Sequence, residues 1–181
     1  MTDADQFEAF VRRFQDMVYA TAIRLLANPS EAEDIAQQVF LRAYQRFGDI
    51  GASPDAGGWL KAVTRNACLN HLTRYRSRWR FFSELPERTA DHEPPEDTLL
   101  RTSFTALDGL EQAERQARLE RALGSLPDHQ RVPIVLHHIE DMGYQEIADA
   151  LGVSLGKIKT DIHRGRIELR RLLNEAGRGH R

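Results

Sequence analysis

The stretch from Gly143 to Arg171 constrains this chain more than any other. Ile147, Ala148 and Leu151 recur at helical spacing on a short segment, with a small residue in the middle of the apolar face. Gly152 follows, a residue free to take the left-handed conformation of a sharp turn. Ser154 is placed to cap a second helix in which Ile158, Ile162, Leu169 and Leu172 return at three- and four-residue intervals. Six basic residues, Lys157, Lys159, Arg164, Arg166, Arg170 and Arg171, lie on that helix. Short helix, tight turn and basic amphipathic helix together spell a helix-turn-helix, whose second helix enters the DNA major groove.

The charge balance limits what such a motif does alone. The 181 residues carry 25 Lys+Arg against 27 Asp+Glu, a net charge of −2, whereas free-standing DNA affinity comes mainly from neutralising phosphates. Either basic charge is gathered in patches or another subunit supplies the grip. The charge is in fact blocked: residues 1–82 hold 11 basic and 9 acidic side chains, 83–114 hold 2 and 9, and 115–181 hold 12 and 9. The acidic block contains Pro86, Pro94 and Pro95 and little apolar content before Leu99, so it reads as a flexible acidic linker between two domains. Cys68 is the only cysteine, which excludes an internal disulfide and a Cys-rich zinc site. No apolar run approaches the length of a membrane span and the amino terminus has no signal-like core, so the expected location is the cytoplasm.

The expected fold is all-α, with no competing strand pattern. Phe7, Phe10, Val11, Phe14, Val18, Ala22 and Leu25 make one apolar stripe. Ser30 and Glu33 have capping-box spacing at the start of a second helix, whose Ala32, Ile35, Ala36, Val39, Phe40, Ala43 and Phe47 face a core. A Gly- and Pro-containing loop over 48–58 leads to a third helix bearing Trp59, Leu60, Val63, Ala67 and Leu72. Pro133, just beyond Leu126 and Pro127, should delay or kink the helix that begins there, because it lacks the amide donor.

Two surfaces look functional. On the second helix Asp34, Gln37, Gln38, Leu41 and Gln45 share an outer face, amides and an acid around an exposed leucine; the pattern fits a protein-binding surface and an ordinary wet face equally well. From Ala56 through Ser83 there is no acidic residue, while Lys61, Arg65, Arg74, Arg76, Arg78 and Arg80 are present. Tyr75, Trp79, Phe81 and Phe82 interleave with them; the charge run points to nucleic acid, whereas Trp79 and Phe82, three apart, read as core-facing. No catalytic constellation appears. His137 and His138 are adjacent, so they point to different helix faces, and no i,i+4 ligand set surrounds them; neither a metal nor another cofactor is expected.

The run Glu31–Leu41 (EAEDIAQQVFL), Trp59-Leu60 with Arg65-Asn66, and Leu126-Pro127 leading to Tyr144, Glu146, Ile147 and Ala148 resemble bacterial sigma factors of the sigma-70 family. The arrangement is similar to the extracytoplasmic-function (ECF) group, which keeps two domains called regions two and four, and the likeness covers roughly 5–82 and 115–174. It implies region two over 1–82, an acidic linker over 83–114 and region four over 115–181. By that resemblance Asp34, Gln37, Gln38 and Leu41 dock on the β′ clamp helices of core RNA polymerase, and the loop from Gly51 to Asp55 captures a flipped minus-ten base. Lys61, Arg65, Asn66 and Arg74 then lie along melted promoter DNA, and region four touches the β flap. Ser154, Lys157, Lys159, Thr160, Asp161, Arg164 and Arg166 make up the element that meets the minus-thirty-five duplex. Lys157 and Asp161, four residues apart, are expected to face the groove, with Arg164 and Arg166 on phosphates.

The resemblance further implies an anti-sigma factor, often membrane-anchored in this family, and a stress- or signal-responsive regulon, with no enzymatic activity and no small-molecule substrate. Three positions depart from the family pattern: Asn70, where Asp is common, Gly165, where Ala is usual, and Asp161, where Arg is common. The competing reading is a self-sufficient helix-turn-helix repressor or activator. It would need a dimerisation surface and more positive charge than this chain shows.

Overall fold

The computed structural model describes residues 3–74 and 110–178, with side-chain surroundings given for 3–74 and 113–175. Every regular element among them is a helix: α1 (Asp3–Leu26), α2 (Pro29–Gln45), α3 (Phe47–Ile50), α4 (Ala56–Arg74), α5 (Leu110–Ser125), α6 (Asp128–His138), α7 (Tyr144–Leu151) and α8 (Leu155–Arg178). The chain divides into two compact units, residues 1–75 and 76–181. Arg76, Arg78 and Arg80, with Tyr75, Trp79, Phe81 and Phe82, lie outside the described residues. So does most of the stretch read as linker, although α5 already begins at Leu110.

In the first unit α1, α2 and α4 pack on one another around Val18, Ala22, Leu25, Ile35, Val39, Leu60 and Cys68, all buried. Truncating one such leucine costs about 2–5 kcal/mol. The reversal between α1 and α2 turns on Ala27, held at φ 50°, followed by Asn28. Asn28 is the helix cap, its side-chain oxygen accepting from the Glu31 amide at 3.2 Å. The expected Ser30 capping box does not form, because Pro29 takes the first helical position and moves the start of α2 two residues earlier. His71 near the end of α4 meets Glu31 at 3.3 Å and ties the two helices together.

In the second unit α8 packs against α5, α6 and α7. Arg131 is only 2% exposed and closes the α5–α6 turn, donating to the Leu126 carbonyl at 2.9 Å and to Asp128 at 2.7 Å. Pro133 does not delay α6, which starts at Asp128 and runs through it. The proline sits in an unbroken buried run from Arg131 to Leu136, where apolar packing outweighs the single missing backbone bond.

Candidate nucleic-acid interface

The outer face of α2 is built as the sequence suggested. Asp34, Gln37, Gln38 and Leu41 are all exposed while Ile35 and Val39 between them are buried, and Leu41 leaves 61% of its surface to solvent. A cleft of about 920 Å³ runs between α1 and α2 beside this face. Phe7, Val11, Tyr19, Phe40, Leu41 and Tyr44 line it, with Asp16, Glu33 and Gln37 among its polar members. Phe40, expected in the core, is only half-buried and belongs to this cleft. The facing wall comes from α1, so the groove is a product of packing that neither helix announces alone.

On α4, Lys61 and Arg65 stand one turn apart and are half-buried, whereas Asn66 and Arg74 are exposed. The opposite side of the helix is closed by Leu60, Thr64, Ala67 and Cys68, with the Thr64 hydroxyl donating to the Leu60 carbonyl at 2.7 Å. Gly51 to Asp55 form the turn between α3 and α4, in which Pro54 and Asp55 are exposed.

The helix-turn-helix is formed by α7 and α8. The Glu146 side chain accepts from the Gly143 amide at 2.8 Å and opens α7. Gly152 closes it in the left-handed conformation, φ 65°, and the Val153 amide donates back to the Ala148 carbonyl at 3.0 Å. The Ser154 hydroxyl then accepts from the Lys157 amide at 3.2 Å, so Ser154 is the cap of α8.

Along α8 the structure redistributes the expected roles. Lys159, His163 and Arg164 are exposed and Thr160 is partly so; these face outward. Asp161 is 4% exposed and Arg166 8%, turned inward with Ile158, Ile162, Gly165 and Leu169. The expectation that Lys157 and Asp161 face the groove is therefore corrected: they bond to each other at 2.6 Å at the edge of the packed face. Burial raises the Asp161 carboxyl above its ordinary range, outweighing the downward pull of Lys157. Burial also pushes His129, on the facing helix α6, below its usual value, with Asp161 and Asp128 opposing and Lys157 and Arg164 reinforcing. Arg166 is corrected too. Its guanidinium donates to His138 Nε2 at 3.2 Å and to the Tyr144 hydroxyl at 3.4 Å instead of reaching outward for phosphate.

The reason is helical geometry. At 3.6 residues per turn, positions 161, 165 and 166 complete the stripe set by Ile158, Ile162 and Leu169. They escaped an apolar-periodicity reading because Asp, Gly and Arg occupy them. Gly165 shows how close the packing is, since a Cβ there would stand 2.5 Å from Ile134 Cδ1 and 3.1 Å from Gln130 Cβ.

His137 and His138 meet edge to face, ring centroids 4.8 Å apart, although adjacent in sequence. Among the described residues no cluster of three or more His, Cys, Asp or Glu side chains is arranged to hold a metal, and no helix is long and apolar enough to cross a membrane.

Residues 10–79 match the family model for sigma-70 region 2, and residues 116–169 match that for sigma-70, region 4. The chain is similar to the ECF RNA polymerase sigma factor SigW of Bacillus subtilis, 29% identical over 96% of this chain and 91% of the relative. It is 36% identical to the ECF RNA polymerase sigma factor SigE of Mycolicibacterium smegmatis, over 91% of this chain but 60% of that longer protein. It is 31% identical to the RNA polymerase sigma-E factor of Streptomyces coelicolor, over 94% of this chain and 87% of the relative.

Proposed function

Because the chain belongs to the extracytoplasmic-function group of the sigma-70 family of RNA polymerase sigma factors, we propose that its two units divide promoter recognition between them. Residues 1–82 act as region two and 115–181 as region four, joined through 83–114. In region two the outward face of α2, Asp34, Gln37, Gln38 and Leu41, docks on the β′ clamp helices of core polymerase, and region four meets the β flap. The exposed apolar side chain of Leu41 beside the cleft supports this, because an apolar spot ringed by amides suits a protein partner. Lys61, Arg65, Asn66 and Arg74 on α4, with the turn from Gly51 to Asp55, lie along the opened minus-ten element.

In region four α8 reads the minus-thirty-five duplex through its outward residues Lys159, Thr160, His163 and Arg164, with Ser154 at its amino-terminal end. Lys157, Asp161 and Arg166 serve the packing behind that face. The polymerase performs the chemistry and this chain selects where it starts, in the cytoplasm, where polymerase and DNA are. An anti-sigma factor that covers the α2 face, and so competes with polymerase for it, supplies control by a stress or other signal.

The observation that carries this reading is the joint match to region two and region four in one chain, in that order. Sequencing transcript starts after overproducing the chain tests it. The expected result is one set of promoters sharing two short blocks at constant spacing upstream of the start. A single palindromic element at sites of repression would instead favour a dimeric repressor.

A further inference from the structure

The cleft between α1 and α2 has a chemistry that the docking face beside it does not use. The two helices pack together and the reversal between them is short, so they run antiparallel, the second half of α1 along the first half of α2. Asp16 and Tyr19 therefore stand with Glu33 toward the turn end of the cleft, and Phe7 stands with Leu41 and Tyr44 toward the other. From Glu33 to Tyr44 the cleft follows α2 for about 16 Å. Phe7 is fixed by two edge-to-face contacts, with Tyr44 at 5.0 Å and Phe47 at 5.1 Å, so the aromatic end is formed before anything binds. The volume of about 920 Å³ lies within the range of small-molecule sites, roughly 300–1,000 Å³.

Asp16 and Glu33 are the charged groups among the described residues that line the cleft. Both are exposed, and neither makes a hydrogen bond or ion pair with another described residue. No lysine, arginine or histidine stands among those lining residues, so the charge at the turn end is negative and unanswered. We propose that the cleft binds a small amphiphilic cation, an aryl- or alkylammonium compound, and that its occupancy competes with core polymerase for region two. The ammonium sits between the two carboxylates and the ring of Tyr19, both of which favour a cation. The apolar body lies on Phe7, Phe40 and Tyr44 and removes from water an apolar surface that the fold leaves open. A neutral body of the same shape lacks the electrostatic part of this attraction, and an anion is repelled. The competition follows from Leu41, which belongs both to the cleft and to the outward face of α2. That consequence rests on the reading of α2 as the polymerase dock, whereas the ligand site does not.

The first arm of the test titrates the full chain, followed by amide NMR, with 4-phenylbutylamine, whose amine is charged at neutral pH as that of lysine is. The neutral 4-phenylbutanol and the anionic 4-phenylbutyrate are the comparators. The amine should shift the amides of Val11, Tyr19, Ala36 and Leu41 while leaving those of α4 and of the second unit in place. It should bind about tenfold tighter than the alcohol, with the butyrate weakest. Asp16→Asn with Glu33→Gln should cost the amine about fivefold and leave the alcohol unchanged; both positions are exposed, and the wild-type titration needs no variant to fold. No shift at about 10 mM amine, where a compound of this size should register, or equal affinity for amine and alcohol, would overturn the site. Shifts produced in the cleft by core polymerase but by none of the three compounds would mark it as a protein contact only, and would overturn the site as well.

In the second arm, the affinity of the full chain for core polymerase is measured with and without the amine at about ten times its own Kd. Simple competition should weaken core binding about tenfold, and clearly less in the Asp16→Asn, Glu33→Gln chain. An equal loss in that chain would place the effect on polymerase and overturn the competition. Gln37→Glu with Leu41→Arg separates the remaining failures. If that pair keeps core affinity, the reading of α2 has failed while the ligand site stands on the first arm. If the pair abolishes core binding and the bound amine leaves it unchanged, competition by the ligand is overturned.

Discussion

Asp161 and Lys159 are two residues apart on α8 and play opposite parts. Lys159 is exposed on the outward face, whereas Asp161 is buried and bonded to Lys157. Lys159→Ala is expected to relax base preference at one minus-thirty-five position by about 1–3 kcal/mol. Asp161→Ala should leave the selected sequence unchanged and lower stability by about 1–3 kcal/mol, because the Lys157 ammonium loses its partner in a nearly dry site. A promoter-library selection and a urea melt on each variant separate the two, and the reverse pattern would return Asp161 to the groove. Gly165 poses a sharper question, since alanine gains about 1 kcal/mol of helix propensity there. Its Cβ would meet the buried Ile134 and the Cβ of Gln130, and overpacking of that kind costs about 1–3 kcal/mol. Gly165→Ala should therefore lower stability by up to about 2 kcal/mol, whereas a higher melting temperature would show that α6 and α8 are less closely packed than described. The pH response of this region has two opposed parts. His129 is held below its ordinary value, so folding favours its neutral form, and stability falls as pH drops below about 6.5 because the unfolded chain takes up the proton first. Asp161 is raised, so its ionised form is the disfavoured one, and stability is regained as pH falls toward the ordinary carboxylate range. His129→Gln should flatten the loss of stability between pH 7 and 5.5 in urea titrations; parallel curves for variant and wild type would contradict this.

Among the elements, α2 offers the most direct test, because its outer face is exposed from Asp34 to Leu41 and little of the fold depends on it. Replacing Gln37 with Glu and Leu41 with Arg should abolish co-purification with core polymerase while changing stability by under about 0.5 kcal/mol per site. Retention at wild-type levels would move the docking surface elsewhere. The helices themselves were legible because α1, α2, α7 and α8 each carry an apolar stripe at helical spacing, and Gly152 and Ser154 mark the turn by chemistry that only a few residues supply. What stayed hidden depended on partners distant in sequence or on competing local rules. Asn28 displaced Ser30 as the cap because Pro29 suits the first helical turn. Pro133 looked disruptive because the buried run around it, closed by helices from elsewhere in the chain, cannot be weighed from α6 alone. On α8 the inner arc includes Asp161, Gly165 and Arg166, so a search for apolar residues assigned two buried polar groups to the wrong face. The cleft between α1 and α2 was likewise invisible, since its wall joins Phe7 to Phe40 across two helices.

At the scale of the whole molecule, the chain has charge in blocks but almost none in sum, a net of −2 over 181 residues. Such a chain gains little from releasing counterions on duplex DNA, and its outward α8 face is one short basic patch. Promoter affinity is therefore expected to be a property of the complex with polymerase, which would bring both units onto one promoter at once and convert two weak contacts into a linked one. The same economy suits a subunit that must stay off DNA until it is loaded. Mobility-shift titration of a selected duplex promoter at physiological salt, with and without core polymerase, tests this claim most directly. The prediction is weak, sequence-indifferent binding by the isolated chain, and tight, sequence-specific binding with initiation at one start once core is added. Sub-micromolar, sequence-specific binding by the chain alone, unchanged by core polymerase, would contradict it.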